Sequence, residues 1–109
     1  MVTSLCIYRV KPGSEGAFRR LLGRHWPTLR RVGLAADIPS MIYEGSEGEG
    51  APFFAELLNW KDARGAETAH EIPDVMTVWE PMGMLCESRD GRPAMEFSRV
   101  ERIEVAFEQ

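Results

Sequence analysis

The sequence contains little of what would define several large classes of protein. Its 109 residues include only two cysteines, Cys6 and Cys86, which are too few for a disulfide framework and form no C-x-x-C pair. No run approaches the ~18 apolar residues that span a bilayer. Residues 1–10 are too short and too polar for a secretory signal peptide. These absences predict a cytoplasmic protein with reduced thiols and no membrane partner.

An excess of positive charge is also missing. The chain carries 13 Lys and Arg against 17 Asp and Glu, for a formal net charge of −4, whereas nucleic-acid binding needs a concentrated basic surface. The one basic cluster has helical spacing and indicates a solvated helix face: Arg19, Arg20, Arg24, Arg30 and Arg31. No dinucleotide, phosphate-loop or G-x-S-x-G motif occurs. We therefore expect no nucleic-acid partner and no cofactor.

What is present is the composition of one globular domain over residues 1–109, with 44% hydrophobic and 28% charged residues. Apolar alternation with a period of two predicts a strand over residues 2–10. Three further strands are predicted over residues 38–44, over the strongly hydrophobic residues 53–60 and over residues 94 to about 105. Between the second and third strands, the glycine-rich and acidic residues 45–51 predict a mobile hairpin loop.

Helical spacing of apolar residues predicts two helical regions. The first begins after Ser14 and stops at Gly33, and Pro27 must kink it or split it. The second runs from a cap at Asp62 to about residue 83 and is interrupted at Pro73. Residues 84–88 fit either the frayed end of that helix or a short strand.

The order strand, helix, strand, strand, helix, strand predicts an α+β fold of ferredoxin-like βαββαβ type. In this fold an antiparallel sheet carries both helices on one face, and its other face is bare. Here that bare face is apolar in either register of the strands, and an exposed apolar sheet is an interaction surface. A second copy packed through a two-fold axis is the simplest cover, so we expect a homodimer through the sheet face.

From Phe53 onward the chain resembles the dimeric α/β-barrel superfamily, most closely antibiotic-biosynthesis-monooxygenase-like (ABM) domains. The shared pattern is a hydrophobic strand ending in tryptophan, an acidic residue, an alanine-rich helix, a histidine and a proline: Trp60, Asp62, Ala69, His70 and Pro73. The resemblance implies paired sheets and a cavity between sheet and helices in each subunit. Members include cofactor-independent oxygenases, haem degraders, isomerases and proteins without known activity, so the fold alone selects no reaction.

The haem-degrading branch of the superfamily is not expected to include this chain. The functional asparagine, tryptophan and histidine of that branch fall near Cys6, at Ala69 and at Trp79. All three functional residues are therefore absent.

Two histidines are candidate catalytic bases, because a neutral imidazole accepts a proton near physiological pH. His70 stands at the start of the cavity helix, with a structural role beside Pro73 as the alternative. His25 lies on the kinked first helix, with a half-buried packing role as the alternative. Four aromatic residues are candidate walls for an aromatic ligand, or plain core: Trp26, Tyr43, Trp60 and Trp79. The spacing of the histidines and cysteines matches no metal site.

Two functions follow from these candidates. The first is a cofactor-independent monooxygenase or isomerase acting on a small aromatic or quinol-like compound, in which His70 or His25 deprotonates the substrate and the anion reacts with oxygen in a dry pocket. The second is a non-catalytic small-molecule-binding or stress-responsive protein. A second polar group facing the same cavity, such as Asn59 or Arg99, would favour the first, and strand register decides where these two residues point.

Overall fold

The computed structural model describes residues 1–109, which form four strands and three helices. The strands are β1 (Val2–Arg9), β2 (Met41–Glu47), β3 (Ala51–Trp60) and β4 (Met95–Val100). The helices are α1 (Glu15–Arg31), α2 (Gly65–Ala69) and α3 (Pro73–Met84). All strand pairs are antiparallel, and the order across the sheet is β2-β3-β1-β4. With the helices on one face, this confirms the ferredoxin-like βαββαβ prediction.

Helix α1 presents one apolar stripe to the sheet. Its buried residues Phe18, Leu22, His25 and Leu29 are spaced by four, three and four positions, which places them on one side of the helix. Pro27 removes one backbone hydrogen bond, yet α1 continues to Arg31 as a single helix. Of the two predicted outcomes, a kink or a split, the split does not occur, and Leu29 beyond the proline is fully buried in the core.

The register of β1 on β3 determines which side chains meet on the helix-facing side of the sheet. Cys6 lies opposite Glu56, and Tyr8 lies opposite Phe54. Every second residue of β3 from Pro52 to Trp60 is buried. A carboxylate therefore stands in the middle of the hydrophobic core.

The opposite face of the sheet is not covered by any element of the chain. Met41 and Tyr43 of β2 are 56% and 57% exposed there, and Leu57 of β3 pairs with Met41 in the adjacent position. Leu5 and Ile7 of β1 share this face and are half-buried. None of the three helices has the length and apolar character needed to cross a bilayer.

The prediction of a loop over residues 45–51 was wrong for most of that range. Strand β2 continues to Glu47, β3 begins at Ala51, and only residues 48–50 form the turn. Pairing is possible because Gly45 has no side chain: a Cβ there would lie 2.8 Å from the ring of Phe53. Glu47 is also held by arginine side chains from two other segments. The strand begins at Met41 rather than residue 38.

The C-terminal strand is shorter than predicted. It ends at Val100, which lies opposite Thr3, and residues 101–109 form no regular structure. The reason is that β1 begins at Val2 and offers no strand residue opposite the later positions.

The second helical region also differs in detail from its prediction. Asp62 does not cap the helix; its Oδ1 accepts a hydrogen bond from the Arg64 amide in the turn before α2. Helix α3 begins at Pro73, a favourable first position, and includes Pro81. Met84 ends α3, and residues 85–88 form neither a further turn of helix nor a strand: they make one isolated bridge, from Cys86 to Val10 just beyond β1.

Candidate functional site

A cavity of about 380 Å³ lies between the sheet and helices α2 and α3. Its walls are mainly hydrophobic, which is typical of small-molecule sites. Four of the predicted site residues reach this cavity: His25, His70, Trp60 and Trp79. Tyr8 and Cys6 of β1 also contribute to its wall.

His25 is buried and hydrogen-bonded through both ring nitrogens. Its Nδ1 lies 2.9 Å from Oε1 of Glu56, and the indole Nε1 of Trp79 lies 2.9 Å from its Nε2. An indole N–H can only donate, so Nε2 must be the acceptor and the proton of the neutral ring resides on Nδ1. His25 therefore donates to Glu56 and accepts from Trp79.

Glu56 is completely buried and supplies the negative charge of the site. Besides His25, the phenol of Tyr8 donates to its Oε1 at 2.7 Å. Burial acts to raise the pKa of Glu56, but the hydrogen bonds from His25 and Tyr8 outweigh it, so the pKa is lowered. The carboxylate is thus ionised at neutral pH inside the core.

The thiol of Cys6 and the phenol of Tyr8, both on β1 beside Glu56, remain protonated. Burial, reinforced by the charge of Glu56, raises the pKa of the Cys6 thiol to about 12 and raises the pKa of Tyr8 well above its ordinary value. A thiol with such a high pKa is a poor nucleophile. Cys6 therefore contributes a small apolar surface to the cavity wall.

His70 occupies a different position, at the C-terminal end of α2. It is exposed on the surface of the chain, and its ring stands edge-on to that of Trp79 with centroids 4.8 Å apart. Its side chain forms no hydrogen bond within the chain. The two candidate bases therefore lie in different surroundings: His25 is buried, and His70 is exposed at the mouth of the cavity.

Trp60 forms a rigid part of the wall. Its Nε1 donates to Oγ of Ser4 at 3.1 Å, and α2 packs directly on its ring. That close approach depends on Gly65, because a Cβ at this position would lie 2.5 Å from the Trp60 ring.

Two of the predicted ligand-wall residues lie outside the cavity. Trp26 donates to the carbonyl of Ala36 at 3.1 Å and stacks under Arg30, and Tyr43 belongs to the open face of the sheet. Trp26 follows His25 directly on α1, so its ring points in a different direction from that of His25. Tyr43 points outward because successive side chains of β2 alternate between the two faces of the sheet.

The two polar residues proposed to converge on the cavity do not reach it. Asn59 is on the outer face, where Thr3 donates to its side chain at 2.6 Å, and Arg99 is exposed on the edge strand β4. The polar residue that sequence reasoning missed is Glu56, which lies behind His25 and reaches the cavity only through that side chain. Its signal was available, since alternation along β3 places it on the same face as Leu58 and Trp60.

The chain contains no group of three or more His, Cys, Asp or Glu side chains arranged to hold a metal ion. The polar part of the cavity is instead a continuous hydrogen-bond chain from Tyr8 through Glu56 and His25 to Trp79. Such an arrangement can accept a proton at His25 and stabilise the resulting imidazolium with the Glu56 carboxylate.

Comparison with solved structures shows the same fold in proteins of low sequence identity. SnoaB, a cofactor-independent oxygenase from Streptomyces nogalater, is 14% identical with a TM-score of 0.66, covering 98% of this chain and 97% of its own. An antibiotic biosynthesis monooxygenase is 9% identical with a TM-score of 0.67, covering 95% of this chain and 100% of its own. Rv0793 from Mycobacterium tuberculosis is 13% identical with a TM-score of 0.60, covering 97% and 98%.

No protein-family model matches the sequence, and no curated protein matches it. The structural matches nevertheless extend over nearly the whole of each chain. The resemblance to ABM-like domains is thereby confirmed for the fold.

Proposed function

We propose that the chain is a cofactor-independent monooxygenase acting on a small aromatic or quinol-like compound, with His25 as its general base. The observation that carries this proposal is the 2.9 Å contact between His25, which lies on the wall of an apolar cavity, and the buried carboxylate of Glu56 behind it. A carboxylate on one ring nitrogen orients the imidazole and stabilises its protonated form. The likeness in fold to a cofactor-independent oxygenase supports the same class of reaction.

The reaction begins when Nε2 of His25 takes the proton of a phenolic or enolic hydroxyl. The resulting anion is electron-rich at a ring carbon bearing hydrogen, and molecular oxygen adds to that carbon. One oxygen atom remains as a new carbonyl group, and the other leaves as water with the two hydrogen atoms lost by the substrate. Oxygen is the only oxidant, no external reductant is consumed, and apolar walls keep bulk water from the anion.

His70 takes a secondary place in this proposal. It lies at the mouth of the cavity against Trp79 and has no carboxylate partner that would stabilise an imidazolium. We assign it a role in ligand contact, so its removal should affect substrate affinity more than turnover.

Oxygen uptake with anthrone as substrate tests the assignment. His25→Gln keeps an N–H that can donate to Glu56 but removes the base, and we expect turnover to fall by about 10²- to 10⁴-fold. His70→Ala is the matched control, with an expected loss of less than about 10-fold. Circular dichroism must show that both variants are folded. Unchanged oxygen uptake in a folded His25→Gln variant would exclude His25 as the base.

The second candidate is a non-catalytic ligand-binding protein, including one that responds to stress. It is favoured by one observation: Trp79 already occupies the acceptor nitrogen of His25 in the chain as it stands. Calorimetric binding of anthrone without any oxygen uptake would support this function and rule out the first.

We further propose a homodimer that pairs the uncovered faces of two sheets. Those faces carry exposed apolar residues, Met41 and Tyr43 among them, and burying such a surface is strongly favourable in water. In a two-fold dimer the same face of each subunit covers that of the other.

Light scattering at micromolar concentration should give twice the chain mass of 12.3 kDa. Leu57→Glu places a charge at the centre of the face and should yield a folded monomer. Met84→Glu is the matched control, because Met84 is 74% exposed at the end of α3, and it should remain dimeric. A monomeric parent chain would refute the pairing.

We also propose a cytoplasmic location. Cys6 and Cys86 are both buried free thiols, the usual state of cysteine in a reducing compartment. Fractionation of cells that produce the tagged chain tests this, and recovery from an oxidising compartment would contradict it.

A further inference from the structure

The indole of Trp79 makes an unusual hydrogen bond. The other two tryptophans donate to oxygen atoms of the scaffold, Trp26 to the carbonyl of Ala36 and Trp60 to the hydroxyl of Ser4. Trp79 instead donates to Nε2 of His25, a side chain on the cavity wall. Its ring is only half-buried, and it is itself part of that wall.

The chemistry of the acceptor restricts what could replace the indole. Glu56 holds the proton of His25 on Nδ1, so Nε2 presents a lone pair and can only be satisfied by a donor. A ligand bound at this atom must therefore bring an O–H or N–H group.

The charges around the cavity restrict the ligand further. Neither lysine nor arginine lines the cavity, whereas Glu80 does and Glu56 lies behind His25. A carboxylate entering this space would lose its hydration without gaining a cation, which is costly. The remaining space is apolar and suits a neutral aromatic body.

We propose that Trp79 is a placeholder for the ligand: the hydroxyl of a neutral aromatic compound displaces the Trp79 indole from His25 Nε2, so that the site selects hydroxyl donors over ethers and carboxylates. The inference rests on the proposed function only in taking this cavity as the ligand site. It requires no reaction with oxygen, and a protein that fails to consume oxygen can still bind as described.

Affinity measurements with 1-naphthol and 1-methoxynaphthalene test the displacement, because only the naphthol can donate to His25. In the parent chain the naphthol must break the indole hydrogen bond in order to form its own, which reduces its advantage over the ether. Trp79→Phe keeps a ring and removes the competing donor. We expect the ratio of naphthol to methoxynaphthalene affinity to rise by about 3- to 10-fold, the range of one net hydrogen bond.

Trp26→Phe is the matched control, since it removes an indole donor that bonds to the carbonyl of Ala36 outside the cavity. Its affinity ratio should equal that of the parent chain. An unchanged ratio in Trp79→Phe would overturn the placeholder role and leave Trp79 as a passive wall. Binding of 1-naphthoate as tightly as 1-naphthol would overturn the selection for neutral donors.

A measurement on the parent chain tests the displacement without any variant, so its result does not depend on whether the variants fold. In an NMR spectrum of the three indole N–H groups, 1-naphthol should shift the Trp79 signal more than 1-methoxynaphthalene does. The Trp26 signal should stay in place, because that ring lies outside the cavity. A Trp79 signal that responds equally to both saturating ligands would show that no displacement occurs.

Discussion

Two glutamates withdrawn from solvent lie on opposite faces of the sheet, and their surroundings differ. Glu56 is completely buried on the helix-facing side, and its donors are the neutral groups of Tyr8 and His25. Glu47 is on the outer side with a side chain that is 20% exposed, and its partners are arginines: Arg9, Arg89 and Arg92. Both carboxyl groups have a lowered pKa.

The causes of the two shifts explain the difference in role. For Glu47, partial burial acts to raise the pKa, and the hydrogen bond and charge of Arg92, with Arg9 and Arg89, lower it. The arginines neutralise the charge of Glu47, and Arg89 also donates to the carbonyls of Pro52 and Val10. The cluster therefore stabilises the hairpin of β2 and β3. The charge of Glu56 meets no fixed cation and acts through His25 on the cavity.

The largest expected effect concerns the carboxylate without a cation. Glu56→Ala leaves the Tyr8 hydroxyl and the His25 N–H buried without an acceptor, and at about 1–3 kcal/mol for each unsatisfied donor it should lower the free energy of unfolding by about 2–6 kcal/mol. Glu56→Gln retains an acceptor oxygen and should cost about 1–3 kcal/mol. Urea denaturation measures both. Equal losses in the two variants would show that satisfying the donors is not what Glu56 does.

The second largest effect is expected at alkaline pH, where the region around Glu56 should lose stability and the cluster around Glu47 should not. The folded chain keeps the Cys6 proton up to a pKa of about 12, against 9.0 for an ordinary thiol, so between these values the unfolded chain binds fewer protons and stability falls as pH rises. At about 1.4 kcal/mol per pKa unit the full loss approaches about 4 kcal/mol.

Comparison with Cys6→Ala isolates this contribution from those of Tyr8 and Cys86, whose raised pKa values act in the same direction. The variant should lose less stability between pH 9 and pH 11 than the parent chain. Glu47→Gln should leave the slope unchanged, because no thiol or phenol belongs to its cluster. Parallel curves for Cys6→Ala and the parent chain would contradict the prediction.

The smallest expected effect is the influence of salt on the stability cost of the two glutamate substitutions. Glu47→Gln is expected to cost on the order of 1 kcal/mol at low ionic strength, and the cost should shrink in 1 M NaCl because the screening length falls from about 10 Å to about 3 Å. The cost of Glu56→Gln should not change with salt, since Glu56 is fully buried. Thermal unfolding of both variants at the two salt concentrations measures this, and an equal salt response would remove the distinction between them.

Local patterns predicted much of the fold and part of the site. The spacing of Phe18, Leu22 and Leu29 places His25 on the buried side of α1 without any knowledge of the sheet. The motif after Trp60 likewise predicted a helix carrying His70 beside a cavity. Both are properties of a few consecutive turns, which periodicity describes well.

Interactions between distant segments were beyond the reach of those patterns. The loop expected over residues 45–51 is mostly paired strand, because Glu47 meets Arg9, which is 38 residues away, and Arg89, which is 42 residues away. Trp26 and Tyr43 were candidate ligand walls by residue type alone, and the orientation of their elements turned both away from the cavity.

Glu56 shows most clearly what each level determines. The sequence alone determined that this residue occurs on the buried face of β3, because alternation along a strand is a property of the local backbone. Only the tertiary structure decided that Tyr8, 48 residues away, and His25, 31 residues away, would meet its carboxylate. A buried charge is tolerated only where donors reach it, and that condition depends on strand register and helix packing rather than on any stretch of consecutive residues.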